Sequence, residues 1–324
     1  MIGLSGSSRR TGAARGFAYR AAHVIVPLGI VGLVVHAVGA GDVLASLRGA
    51  EPDWIVLALM ACSAQILLCA MRWQVTARSL GTTIPVRSAV SEYYLSSVIN
   101  TTVPGGVVGD AMRAARARGA AGLERAVHSV VIERLAGQIG LGAVLLLGLA
   151  LSGRPVLQGS AAIAALALLA LGAAYALLRE RRLARFVPPV IRRFATAIRM
   201  SWFDGRTALV QIALSLAIVA ANLAAFAFAA RATGTAIGFP EMLFAIPLIL
   251  AAMLIPFSVA GWGYREGAAA AIFPLLGTSA AAGVSASLVF GAVILAASLP
   301  GTVVVLFRNR LSRPATEHPG DAAE

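Results

Sequence analysis

Apolar residues in this chain do not alternate with polar ones. They gather into runs near 21–40, 53–71, 135–153, 158–178, 207–230 and 280–306. About 20 apolar residues cross a bilayer as a helix. Only helices and closed barrels satisfy the backbone in lipid, and these runs are too long and too regularly apolar for barrel strands. The pattern predicts an all-α polytopic membrane protein.

Two stretches break the pattern. Residues 88–104 are half polar and end in "VPGGVVGD" at 103–110. Residues 241–256 are apolar but short, carry prolines at 240, 247 and 256, and lead into "IPFSVAGWG" at 255–263. Proline removes an amide donor and glycine permits positive φ, so helices unwind at both places.

Charge gives the orientation. The chain has 27 basic residues and a net charge of +13, and every basic residue is arginine. The arginines crowd the segment before the first run, 72–87, 113–134, 179–206 and the C-terminal tail, while 41–52 carries only Arg48 and 153–157 only Arg154. The positive-inside rule puts both termini in the cytoplasm of a cell-membrane protein. The stretch 88–104 then has to dip and return, and 241–277 has to dip and return or cross twice. Arginines between apolar runs also explain the basic charge without nucleic acid.

The two breaks align. Pro104, Val107, Gly109 and Arg113 match Pro256, Val259, Gly261 and Arg265 as P-x-x-V-x-G-x-x-x-R. Each half reads helix, helix, break, helix, starting on opposite sides. This predicts an inverted-topology repeat with about six full transmembrane helices plus two re-entrant or broken segments, or eight helices. The expected division is a basic tail at 1–20, a first repeat at 21–153, a second at 154–307 and a disordered tail at 308–324. The run at 21–40 imitates a signal peptide, but the repeat argues for a retained helix.

Paired interruptions near the midplane mark binding sites in transporters. Pro104, Gly105, Gly106 and Gly109, with Pro256, Gly261 and Gly263, are the helix-break and cavity candidates. Glu92, Ser96 and Asn100 share one helix face and either line a cavity or form the wet side of a surface helix. Arg113 and Arg265 are candidates to hold an anionic lipid phosphate, because guanidinium binds it bidentately; the alternative is local pairing with Asp110 and Glu266. Glu133-Arg134 opens a helix and Arg72 closes one, and inside charge explains these two arginines more readily than headgroup binding does.

Other chemistry finds little support. Cys62 and Cys69, seven apart in one apolar run, read as packing residues. "HSVVIER" at 128–134 is not the zinc-protease pattern. No paired acidic metal motif, cofactor motif or nucleotide-binding P-loop occurs, which argues against ATP hydrolysis within the chain.

"NTTVPGGVVGDAMRA" at 100–114, "VIERLAG" at 131–137, "MRW" at 71–73 and "IPFSVAGWGYREG" at 255–267 together resemble the lysylphosphatidylglycerol synthase transmembrane region. The family break carries a longer Gly-Gly-Asp run; here Val108 stands before Gly109-Asp110. The resemblance implies a flippase-like domain over about 20–310. It implies a binding or transport role for Asn100, Pro104, Gly106, Gly109, Asp110, Arg113, Arg134, Gly263, Arg265 and Glu266. The family's aminoacyl transfer belongs to a separate soluble domain, so the expectation here is a non-enzymatic lipid transporter. Its headgroup residues would be Arg113, Arg265, Asn100, Arg134 and Arg72; Glu92, Asp110, Glu133 and Glu266 would be ion-pairing or proton-linked. The competing expectation is a lipid-binding scaffold that partners a glycosyltransferase or other envelope enzyme.

Overall fold

The computed structural model describes residues 25, 28–103, 105–119, 122–153, 159, 188–255 and 260–311. Among these the chain is helical, without strands. In order the helices are α1 (Leu28–Val38), α2 (Ala40–Arg48), α3 (Pro52–Ser79), α4 (Val86–Thr102), α5 (Val108–Arg116) and α6 (Leu123–Leu151). Then come α7 (Pro189–Trp202), α8 (Gly205–Ala232), α9 (Phe239–Ala251), α10 (Tyr264–Ile272), α11 (Ala280–Ser298) and α12 (Pro300–Leu311). Among the described residues four helices are long and apolar enough to cross a membrane, or five if α1 and α2 form one bent span. The expected run at 158–178, apart from Gly159, lies outside the described residues, as do the tail 1–20, Pro104 and Pro256.

Two expected boundaries change. Residues 41–52 are not a plain loop: Gly39, at φ 100°, turns the chain by 98° and α2 fills most of the segment. At the other end α12 continues to Leu311, past the tail boundary expected at 308, because no proline or glycine falls between Thr302 and that point.

The centre is the antiparallel pair α3 and α8, each 28 residues long. Trp54 near the start of α3 stacks on Phe228 near the end of α8 at 5.7 Å, while Gln211 near the start of α8 donates to Thr76 near the end of α3 at 2.8 Å. Buried alanines at 58, 70, 225, 229 and 230 let the two backbones approach closely. Phe226 extends this core to Phe273 and Phe290.

Both helices end in the same turn. After α3, Gly81 donates to Arg78 and Thr82 to Ala77; after α8, Gly234 donates to Arg231 and Thr235 to Ala230. Gly81 and Gly234 sit at φ 84° and 83°, the left-handed position that closes a helix C-terminus and that glycine occupies without strain. The sequence R-x-x-G-T-x-I underlies both turns, at 78–84 and 231–237.

Each turn leads into a helical hairpin. Contacts between Glu92 and Arg116, Ser96 and Asp110, and Asn100 and Gly109 fold α5 back along α4. Beyond α9, a 3-10 turn at Ala252–Leu254 precedes the second break, where Gly261 packs on Met253.

The surface is apolar and the interior is charged. Met60, Leu67, Ile139, Leu147, Leu209 and Leu216 are exposed, while Arg72, Arg113, Glu133, Arg265 and Glu266 are buried. Helix α5 turns Asp110 and Arg113 inward and Val108 and Met112 outward. Water would reverse that distribution; lipid favours it.

Candidate functional site

The break at 103–107 delivers α5 so that Arg113 enters the protein between α3, α4 and α6. Gly105 and Gly106 make the turn at φ 89° and 61°. Asn100 accepts the Gly109 amide through Oδ1 at 2.8 Å, capping a free donor at the start of α5. Gly109 is a packing residue rather than a cavity wall: a Cβ there would collide with the Ser96 carbonyl.

Around Arg113 lies an inner cluster. Its Nη2 donates to Asp110 Oδ1 at 3.0 Å and to Glu133 Oε2 at 3.4 Å. Its guanidinium lies 4.6 Å from the Trp73 ring centroid and 4.3 Å from that of Tyr93, a cation–π sandwich. Glu133 also accepts from Arg72 Nη2 at 2.9 Å and from the Tyr93 hydroxyl at 3.3 Å. Arg72 reaches Ser215 on α8 at 3.2 Å, and Trp73 donates to Ser129 on α6 at 3.1 Å. Asp110 takes the Ser96 hydroxyl at 2.9 Å and pairs with Arg134 at 2.5 Å. The Arg134 side chain is 47% exposed, whereas those of Arg72, Arg113 and Glu133 are at most 2% exposed.

The outer cluster is smaller. Arg265 Nη2 donates to Glu266 Oε1 at 2.5 Å, and its Nε to Ser287 Oγ at 2.9 Å. The Ser287 hydroxyl donates to the same carboxylate oxygen at 3.0 Å. Glu266 Oε2 accepts the Gly263 amide at 2.6 Å, so this carboxylate caps α10 as Asn100 caps α5. Trp262 and Phe290 flank the guanidinium at 5.1 and 5.6 Å. Gly291 makes the room: a Cβ there would collide with Arg265 and lie 2.9 Å from the Trp262 ring.

The two clusters meet different stretches of α3. Arg265 lies toward Cys62, and Arg72 and Glu133 toward Cys69. Seven residues of helix separate those cysteines, about 10 Å at 1.5 Å per residue. Both thiols are free and buried, as the packing reading expected.

The structure thus brings Arg72, Arg113, Arg134, Asp110 and Glu133 together, and sets Arg265 with Glu266 apart from them. Both local pairings open at the sequence level, Arg113 with Asp110 and Arg265 with Glu266, are formed. The stripe of Glu92, Ser96 and Asn100 faces another helix of the protein. Each meets the returning α5: Glu92, still partly exposed, pairs with Arg116 at 2.5 Å, Ser96 donates to Asp110 and Asn100 accepts from Gly109.

Sequence reasoning missed Trp73, Tyr93, Ser129, Ser215, Ser287, Gly137 and Gly291. A lone serine or glycine in an apolar run carries no signal of what it will face; only Trp73 and Tyr93 lay beside residues already singled out. Among the described residues no group of three or more His, Cys, Asp or Glu could hold a metal ion.

The model of the lysylphosphatidylglycerol synthase TM region matches residues 20–301, which include both hairpins and both clusters. The chain belongs to that family. The family is a membrane domain associated with lipid handling, which accords with the apolar exterior. No curated protein matches the chain.

Proposed function

We propose that this member of the family is a flippase-like transporter of an anionic lipid, an anionic phospholipid or an isoprenoid-phosphate-linked lipid, and that its two halves are inverted-topology copies. The observation that carries the reading is the pair of interrupted helical hairpins, each delivering one buried arginine to an aromatic and carboxylate cage. The antiparallel α3 and α8 with identical terminal turns support the inversion. The short arms α5 and α10, nine residues each, reach about 14 Å, less than half a hydrocarbon core of about 30 Å. Each hairpin therefore dips into the membrane and returns. The arginine distribution supports an orientation with both termini in the cytoplasm and a place in the cell membrane. No aminoacyl transfer is assigned to this chain.

In this reading Arg134 meets the headgroup first, since it is the exposed arm of the inner cluster. Arg113 has Nε and Nη1 without hydrogen-bond partners among the described residues, so it keeps donors for a phosphate oxygen. Asp110 and Glu133 release and recapture arginine as the lipid passes, and Arg265 with Glu266 repeats the exchange in the outer half.

The closed packing around Arg113 and Arg265 favours a second reading in one respect. A scaffold that holds a lipid for an envelope enzyme needs no opening of either cage.

Leaflet exchange of a fluorescent phosphatidylglycerol in reconstituted vesicles tests the choice. The transporter accelerates exchange over protein-free vesicles, and Arg113→Lys/Arg265→Lys slows it while leaving helix content and monodispersity intact. Wild-type exchange no faster than in protein-free vesicles, with lipid still co-purifying by mass spectrometry, removes the transport reading and leaves the scaffold.

A further inference from the structure

A second arginine cluster lies outside both cages. A cavity of about 680 Å³ opens between the first turns of α6, helix α7 and the end of α3. Arg125 and His128 line it from α6, and Arg192 and Arg193 from α7. The carboxylate in the lining, Glu124, is engaged by Arg193 at 3.2 Å. Arg125 is steadied by the Leu80 carbonyl at 3.4 Å, and His128 lies edge-on to Phe194 at 5.3 Å. Arg192 is exposed, and its guanidinium has no hydrogen bond or ion pair among the described residues.

The floor and rim are apolar. Leu80 and Ala197 belong to a packed cluster with Ile132. Val190 and Ile191 on α7, and Leu123 and Val127 on α6, are exposed beside the arginines. Helix α7 thus packs one face on the protein, through Ala197 and Ser201, and presents arginines and large apolar side chains together elsewhere. That mixture suits the boundary between headgroups and acyl chains. The volume falls within the usual range for a small-molecule site.

We propose that this cavity is a phosphate-binding site on the arginine-rich face, with Arg125 and Arg192 as its principal donors and the phosphorylated headgroup of a membrane lipid as its ligand. Planar guanidinium forks bind phosphate oxygens in pairs, and Arg192 has its fork free to do so. The site shares no residue with either cage, so it stands or falls separately from the transport reading.

Native mass spectrometry of the full chain in detergent, with short-chain phosphatidic acid and phosphatidylcholine as probes, tests it. Wild type retains phosphatidic acid over phosphatidylcholine, and Arg125→Gln/Arg192→Gln lowers that retention about tenfold, the loss expected when charge-assisted hydrogen bonds are removed. Both side chains are exposed, so the variant keeps the wild-type unfolding midpoint without ligand. Arg113→Lys/Arg265→Lys keeps the binding, since the site lies elsewhere. Inorganic phosphate distinguishes the source. If it does not displace the lipid, the headgroup is the ligand; if it stabilises wild type but not the variant and displaces the lipid, the phosphate site stands and its ligand is soluble. Equal retention of phosphatidic acid by wild type and variant, with no phosphate-dependent difference, overturns the proposal.

Discussion

The inner and outer clusters solve the same problem with different surpluses. Each buries an arginine that a helix break has delivered, and each flanks it with aromatic rings. The inner cluster sets three arginines against Asp110 and Glu133 and leaves one arm, Arg134, half exposed. The outer one pairs Arg265 with Glu266, closes the pair with Ser287 and shows almost nothing at the surface. An excess positive charge with an exposed arm suits capture of an anion. A neutral, closed pair suits a latch that opens only when another anion competes for it. The difference matches the direction of the arginine bias, with the charge-rich cluster nearer the arginine-rich ends of α3 and α6.

The largest effect should come from the shared carboxylate. Glu133 holds Arg72, Arg113 and the Tyr93 hydroxyl. Glu133→Ala takes from buried Arg72 its carboxylate and from Arg113 one of two, leaving Arg113 with Asp110, and breaking a buried ion pair costs about 3–5 kcal/mol. Glu266→Ala strands one guanidinium, which retains Ser287. An SDS unfolding titration of both variants should place Glu133→Ala below Glu266→Ala. The reverse order would mean that the outer pair, not the inner network, anchors the fold.

The next effect lies in the glycines that make space. Gly291→Ala drives a methyl into the buried Arg265 guanidinium and to 2.9 Å from the Trp262 ring. Overpacking of this kind costs about 1–3 kcal/mol. Gly137→Ala sets its Cβ 3.0 Å from Arg72 Nη2, a contact a small shift relieves. The same titration should therefore rank Gly291→Ala as the more damaging, and an equal loss would show that the inner cage is as tight as the outer.

These glycines also mark how far the sequence could be read. The long spans, the two breaks and the pairing of Arg113 with Asp110 follow from local signals: apolar length, proline with glycine, and spacing along one helix. The turn R-x-x-G-T-x-I was equally visible at 78–84 and 231–237 but lies outside the breaks, where attention to proline leads. The inner network was not legible, because it depends on which helices become neighbours. Glu133 sits beside an arginine in sequence yet binds two others, from α3 and α5. The stripe at Glu92, Ser96 and Asn100 had the right period, but a polar stripe does not say whether water, ligand or a returning helix will satisfy it.

The two turns offer a symmetric control. Gly81→Ala and Gly234→Ala each force alanine into left-handed backbone, at about 1–2 kcal/mol. If the halves are inverted copies, the two losses should agree apart from a small extra loss at Gly81, whose Cβ would lie 3.1 Å from Arg125 Nη1 while that of Gly234 meets nothing within 4 Å. A loss at one position alone would confine the resemblance to local sequence.

The smallest change in stability should come from the residue with the most to do at the surface. Arg134 pairs with Asp110, but its side chain is 47% exposed and Asp110 keeps Arg113 and Ser96. Ion pairs with such exposure contribute about 0–1 kcal/mol, so Arg134→Gln should unfold within that margin of wild type. In vesicles it should slow exchange of anionic phosphatidylglycerol, because the inner cluster then loses both its excess charge and its exposed arm. A neutral lipid lacks the net charge that arm attracts, and its exchange should change less. Normal anionic exchange by Arg134→Gln would assign capture to the buried Arg113 instead and require the Trp73–Tyr93 sandwich to open before the lipid arrives.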